Sequence, residues 1–213
     1  MSALMVEGRN DVAEVSWAEA AATLNMLARM IGNVPDAGWT PSLVEAVDAL
    51  DDEAPGCSRM KAFLGEQEGG GLDALVELLA VDWTLAFRGM SPKDGPRPPY
   101  AGAWISHDGV GVQAMCAING WYLKDGFVPV GGRSNRGDYL GVELDYVAAM
   151  IAKYQDEPSE ECARRIVQFL DEYVLPWLGD YRGQVEERCR TPFWKGYLEL
   201  VHCVIEDVRN GLE

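Results

Sequence analysis

Two histidines, His107 and His202, and five cysteines are the residues from which a metal centre or a nucleophilic site would have to be built. Neither histidine has a second histidine or a carboxylate at ligand spacing. Cys57, Cys116, Cys162, Cys189 and Cys203 form no CxxC pair, so zinc-knuckle and Cys-His nucleophile chemistry are not indicated. Gly69-Gly70-Gly71 lacks the downstream Lys-Ser/Thr of a phosphate-binding loop, and Gly109-Val110-Gly111 lacks a third glycine and a preceding strand. Glu143 and Asp145 lie two apart on a helical pattern and cannot share a face as an acid/base pair. The chain therefore reads as a non-enzyme with no catalytic residue, no metal and no cofactor. What remains is an aromatic supply, Trp83, Phe87, Tyr100, Trp104, Trp121, Tyr122, Phe127, Tyr139 and Tyr146, set beside loops and a glycine-rich joint. Such rings can line a groove for an apolar peptide or helix, with core packing as the plainer alternative.

Elements must hold these residues, and helical periodicity supplies them. Ser16-Trp17-Ala18-Glu19 reads as a capping box that starts a helix near Trp17, with Leu24, Leu27, Ala28 and Ile31 at helical spacing and Gly32-Asn33 as the stop. Thr40-Pro41 opens a second helix with Val44, Val47 and Leu50 inward, and a third lies around Met60. After the Gly69-Gly70-Gly71 break, Leu72, Leu75, Val76, Leu79 and Trp83 continue one face of a long core helix. Residues 88–97 carry glycines, prolines and charges without period, and Pro98-Pro99 forbids helix locally, so this segment is expected to wrap over the surface. Residues 110–123 are compatible with a helix weakened by Gly120, and 127–137 read as a connector containing Gly131-Gly132.

Beyond the connector, Leu140, Leu144, Val147, Ile151 and Tyr154 mark a helix over 138–155. Asp138 sits where an N-cap belongs, able to accept from the orphan amides of the first turn. A helix from Ser159 to about Val174 follows, Pro176 kinks or breaks what comes next, and Thr191-Pro192 opens a last helix with Tyr197, Leu200, Val204 and Val208 on one side. The fold class is all-α, a helical bundle. The expected organisation is one all-helical domain over 1–213, with an N-terminal part over about 1–126, a hinge-like connector over about 127–137 and a C-terminal bundle over about 138–213.

The formal charge of -16, from 34 acidic and 18 basic residues, repels nucleic acid and anionic membranes and attracts a basic ligand. An odd number of unpaired cysteines fits reduced thiols in a cytoplasm. Residues 1–15 lack a basic start followed by an apolar core, so no export signal is read there, and the apolar-rich run 72–87 is too short and too charged to cross a bilayer.

Several segments, in order, resemble the TorD/DmsD family of redox-enzyme maturation chaperones. Asp82-Trp83-Thr84-Leu85-Ala86-Phe87-Arg88-Gly89 is similar to the family's aromatic-x-x-Leu-Phe-x-Gly helix end, with Ala86 where leucine is usual. Pro98-Pro99-Tyr100-Ala101-Gly102-Ala103-Trp104 resembles its Pro-Pro-Tyr-x-Ser-x-Tyr loop, with Gly102 for serine and Trp104 for the last aromatic. Residues 135–146 resemble Glu-Pro-x-Asp-His-x-x-x-Glu-Leu-x-Phe, matching at Asp138, Glu143 and Leu144, with Asn135, Arg136, Tyr139 and Tyr146 as departures. The runs Phe169 to Leu178 and Thr191 to Trp194 are similar to the family's helix-Leu-Pro-Trp-helix ending.

The resemblance implies a cytoplasmic chaperone that binds the twin-arginine leader, or the apoenzyme, of a molybdopterin oxidoreductase and holds it until cofactor insertion and export. The peptide-binding residues it points to are Trp83, Phe87, Pro99, Tyr100, Trp104, Asp138, Tyr139 and Glu143. The rings would bury the leader's apolar stretch while Asp138 and nearby carboxylates meet its basic end. The partner is the oxidoreductase subunit and its leader, with no nucleic acid and no membrane insertion, and either a monomer or a domain-swapped dimer is compatible. The rival readings are a small-molecule or nucleotide-binding helical protein and a helical oligomeric adaptor.

Overall fold

The computed structural model describes residues 16–88, 95–106, 111–129 and 136–213. The expectations that fall on residues 1–15, Gly89, His107, Gly109-Val110, Gly131-Gly132 and Asn135 lie outside the described residues. Within them the chain forms α1 (Trp17–Gly32), α2 (Thr40–Asp48), α3 (Cys57–Gln67), α4 (Leu72–Arg88), α5 (Ala101–Ile105), α6 (Val112–Asp125), α7 (Leu140–Asp156), α8 (Glu160–Phe169), α9 (Leu175–Arg188) and α10 (Pro192–Gly211). Among the described residues the only β-type pairing is an isolated bridge between Tyr100 and Tyr139. The all-α class is therefore observed.

Local chemistry fixes several helix ends. The Glu19 N–H donates to Ser16 Oγ at 3.4 Å, and the Cys162 N–H donates to Ser159 Oγ at 3.2 Å, so two hydroxyl caps start α1 and α8. Gly126 ends α6 in the left-handed conformation, with the Phe127 N–H donating back to the Tyr122 carbonyl at 2.8 Å. Ahead of Pro176 the chain takes one wide π turn over Leu170–Val174, closed by the Leu175 N–H on the Leu170 carbonyl. The expected kink is thus a loosened turn that lets α8 run on into α9.

Packing interleaves the two halves of the chain. The most extensive helix pair is α1 against α7. It runs antiparallel, with Trp17 edge-on to Tyr154 at one end and the Tyr139 hydroxyl donating to the Ile31 carbonyl at 2.7 Å at the other. Helix α3 crosses α10 at Gly56 and Gly196, where backbones meet so closely that a Cβ on Gly56 would lie 2.0 Å from the Gly196 carbonyl oxygen. Helix α4 meets α10 through the Trp194 indole N–H, which donates to the Leu79 carbonyl at 3.0 Å. The Tyr197 hydroxyl reaches the Leu27 carbonyl of α1 at 2.9 Å. One apolar core runs through all of these helices.

Three details depart from the sequence reading. Helix α9 is present although Gly179 and Gly183 and a charged surface hid it; its buried residues Trp177, Leu178, Tyr181 and Val185 do carry helical spacing. The short α5 follows Pro98-Pro99 at once. On α4 the core takes Leu79, Asp82, Trp83, Ala86 and Phe87, while Leu72 is exposed, because the first turns of this helix extend past the neighbours that bury its later ones. In the 88–97 segment, Gly95 and Pro96 are buried and Arg97 is exposed, so its described part is a tucked loop rather than a surface wrap.

Candidate functional site

The Pro-Pro-Tyr segment lies along the entrance to α7. The Leu140 N–H donates to the Pro99 carbonyl at 2.9 Å, and the Ala101 N–H donates to the Asp138 carbonyl at 2.8 Å. Helix α9 holds the segment from the other side. Arg97 N–H donates to Gln184 Oε1 at 2.9 Å, Arg188 donates to the Gly95 carbonyl, and Trp104 stacks on Trp177 with ring centres 5.9 Å apart. The helix that the sequence reading missed is therefore one wall of the site. Arg97 also lies over the Trp104 ring at 4.7 Å.

Asp138 is fully buried, yet it does not cap α7. The N-cap is Tyr139, and the Asp138 side chain instead crosses to the Pro-Pro-Tyr segment, where Oδ2 accepts the Gly102 N–H at 3.1 Å. The cap expectation is corrected because turning Asp138 outward from the helix end satisfies a loop amide that has no other described partner. Arg136 completes the arrangement. Its Nε donates to Oδ1 at 2.8 Å and a terminal nitrogen donates to Oδ2 at 2.6 Å, while its guanidinium lies 4.9 Å over the Tyr100 ring. The side chain of Arg136 is 40% exposed.

The departures from the family motifs find physical reasons here. A Cβ on Gly102 would lie 2.5 Å from the Gly111 carbonyl oxygen and 2.7 Å from Asp138 Oδ2, so no serine fits where this chain has glycine. Ala86 is buried and its carbonyl accepts the Tyr181 hydroxyl at 3.2 Å. Tyr139 spends its hydroxyl on α1, and Tyr146 packs on Phe169 with ring centres 4.5 Å apart. Arg136, in the proline position, supplies the guanidinium on Asp138.

The structure brings Pro99, Tyr100, Trp104, Asp138 and Tyr139 together, with only Tyr100 and Trp104 partly exposed. Trp83 and Phe87 are core residues: Phe87 makes edge contacts with Trp194 at 5.1 Å and Tyr197 at 5.9 Å. The expectation that Trp83 and Phe87 line an open groove is therefore corrected; each ring is used in joining α4 to α10, and Tyr139 is used in joining α7 to α1. Glu143 is also sealed inside, and neither of its oxygens has a hydrogen-bond partner among the described residues. Burial, with the neighbouring Asp138 charge, pushes its carboxyl well above the ordinary value of 4.5.

Two features were not read from the sequence. Asp125 receives Arg165 at 2.9 and 2.6 Å together with the Tyr146 hydroxyl, and Arg165 lies 4.5 Å over Trp121, a second carboxylate-guanidinium-ring unit that ties α6 to α8. Its members are 40 residues apart, so spacing gave no signal. His202 has a carboxylate one helical turn on, with Nδ1 3.1 Å from Glu206, which corrects the statement that none stands at ligand spacing. No third ligand joins them, and no metal-holding group of three occurs among the described residues.

The outward side of α6 is the least charged long surface beside this junction. From Val112 to Leu123 the helix carries no ionisable residue except Cys116 and Tyr122, and Val112, Cys116, Ala117 and Leu123 are exposed. Gly111, at its start, packs on Gly102 next to Asp138.

An all-helical chain whose most organised site is a pinned loop, a buried carboxylate and an apolar helix face defines a binding protein of the chaperone class rather than a catalyst. The chain matches the family described as nitrate reductase delta subunit over residues 43–182, and it belongs to that family, the one of TorD/DmsD-type redox-enzyme maturation chaperones. It is similar to the chaperone protein YcdY of Escherichia coli (strain K12), with 29% identity over 117 residues, which are 54% of this chain and 56% of that protein. The chain thus spans little more than half the length of this relative. No helix among the described residues is long and apolar enough to cross a membrane.

Proposed function

We propose that this protein is a cytoplasmic chaperone that binds the arginine-bearing leader, or the apoprotein, of a molybdopterin oxidoreductase and holds it until the cofactor is inserted. Membership of a maturation-chaperone family and a relative named as a chaperone support the general role. The observation that carries the finer reading is the uncharged outward face of α6 beginning beside Asp138 in a chain of net charge -16. A helix apolar on both sides is normally covered on both. A leader has an apolar stretch and a basic head, and this surface offers an apolar stripe and a carboxylate next to one another.

In this reading the leader's apolar segment lies along Val112, Cys116 and Leu123. Pro99, Tyr100 and Trp104 form the adjoining edge, and Asp138 meets the basic end. Trp83, Phe87, Tyr139 and Glu143 support the surface from beneath without touching the peptide. Covering about 400 Å² of apolar surface contributes on the order of 10 kcal/mol gross, most of it offset by ordering the peptide, which leaves micromolar to submicromolar affinity.

The test is calorimetric titration with a synthetic twin-arginine leader. Val112→Glu combined with Leu123→Glu changes only exposed positions, so melting should stay within about 0.5 kcal/mol of the parent. Affinity should fall at least about tenfold, since two buried apolar contacts become charges. An unaltered Kd in this variant removes α6 from the site.

A further inference from the structure

We infer that Arg136 occupies a guanidinium subsite built from Asp138 and Tyr100, and that a client enters it by exchanging its own arginine for Arg136. This rests on the leader-binding reading and adds to it the ligand chemistry and the gate.

Asp138 is entirely buried and its carboxylate is filled: two bonds come from Arg136 and one from the Gly102 N–H. A basic peptide therefore finds no open acid there. Three properties of the Arg136 contact make it exchangeable. The Arg136 side chain is 40% exposed, in contrast with its partner at 0%, so the guanidinium can leave towards solvent while the carboxylate cannot follow. Arg136 is separated from Asp138 by one residue only, so the pair holds no distant elements together, unlike Arg165 with Asp125 across α8 and α6. Exchange of one guanidinium for another also keeps the buried charge neutralised, which avoids the large cost of leaving it unpaired.

The geometry specifies the ligand class. Two parallel N–H donors meet the two carboxylate oxygens, and a flat cation lies on the Tyr100 ring at 4.9 Å. An arginine reproduces both contacts, whereas a lysine ammonium has neither the planar fork nor the stacking face. The subsite thus selects arginine over lysine by shape and not by charge alone. Trp104 with Arg97 at 4.7 Å lies on the same segment but has no carboxylate partner, so it does not form a second such place.

The experiment titrates the parent protein, Arg136→Gln, Arg136→Lys and Asp138→Asn with a leader carrying paired arginines and with the same leader carrying paired lysines. Arg136→Gln should bind the arginine leader about tenfold more tightly, because the internal competitor is gone, and Arg136→Lys should lie between it and the parent. The parent should prefer the arginine leader to the lysine leader by about tenfold or more, and Asp138→Asn, which keeps an acceptor for the Gly102 N–H, should lose that preference. In the parent, the Arg136 Nε–H resonance should lose its protection from exchange when the arginine leader binds. Equal affinity of Arg136→Gln and the parent, or an unchanged Arg136 resonance in the bound state, overturns the exchange. Failure of all four proteins to bind either leader overturns the leader-binding reading itself. Arg136→Lys, which retains a cation beside Asp138, serves if Arg136→Gln does not fold.

Discussion

At the scale of single residues, the site is governed by what burial does to carboxylates. Asp138 is buried with a cation and three hydrogen bonds, and Glu143, one turn further along, is buried with no described partner. The second situation is tolerable only for the neutral acid, and the raised affinity of Glu143 for its proton follows from desolvation first and from Asp138 second. A group whose folded value lies above its unfolded value stabilises the fold fully below the unfolded value, here near 4.5, and loses that contribution as pH rises towards the folded value. Glu143→Gln, which mimics the neutral form, should therefore gain on the parent between about pH 5 and pH 8, by up to ~1.4 kcal/mol per pH unit. Paired thermal melts across that range measure it, and parallel curves for the two proteins would contradict a buried neutral Glu143. Asp145, pushed up to about 6 by its own burial, adds a slope of the same sign to both proteins and cancels in the comparison.

At the scale of elements, helix ends are finished by other helices. Thr191 does not cap α10 with its own side chain; the Arg190 and Thr191 N–H groups both donate to Asp82 Oδ2 from the middle of α4. Asp82→Ala should cost about 2–4 kcal/mol, since two charge-assisted bonds to buried amides are lost, and Asp82→Asn should cost less. Denaturant midpoints of the two variants decide it; equal losses would mean that the carboxylate charge and not its acceptor role matters. Such tertiary caps also mark how far the sequence was readable. Ser16 and Ser159 cap from neighbouring residues, and the starts of α1 and α8 were legible for that reason. Asp82 is 109 residues from Thr191, and no local pattern contains it. The same holds for the site: Pro99, Tyr100, Trp104 and Asp138 were found from their motifs, and they do meet. The burial of Trp83 and Phe87 was not legible, because an aromatic beside a glycine-rich break reads alike whether it faces solvent or α10. Helix α9 was obscured by two glycines and a proline that its packing on the Trp104 segment outweighs.

At the scale of the whole molecule, charge sets how a client arrives. With 34 acidic against 18 basic residues, the chain attracts a basic leader from a distance that the ionic medium controls. Stopped-flow association of the leader should slow by about tenfold between low salt and physiological ionic strength, where the screening length is about 8 Å, while dissociation changes little. An association rate indifferent to salt would separate recognition from the acidic field. Architecture sets the other large-scale property. Because α1 lies mainly on α7, and α3 and α4 lie on α10, a nascent polypeptide on the ribosome displays its earliest apolar helix without a cover until residues near 156 have emerged, and those two later helices until residues near 211 have done so. Maturation of this protein is accordingly a late, near-simultaneous event of synthesis, and during that interval it presents to the cell the same kind of unprotected surface that it is proposed to shield in others.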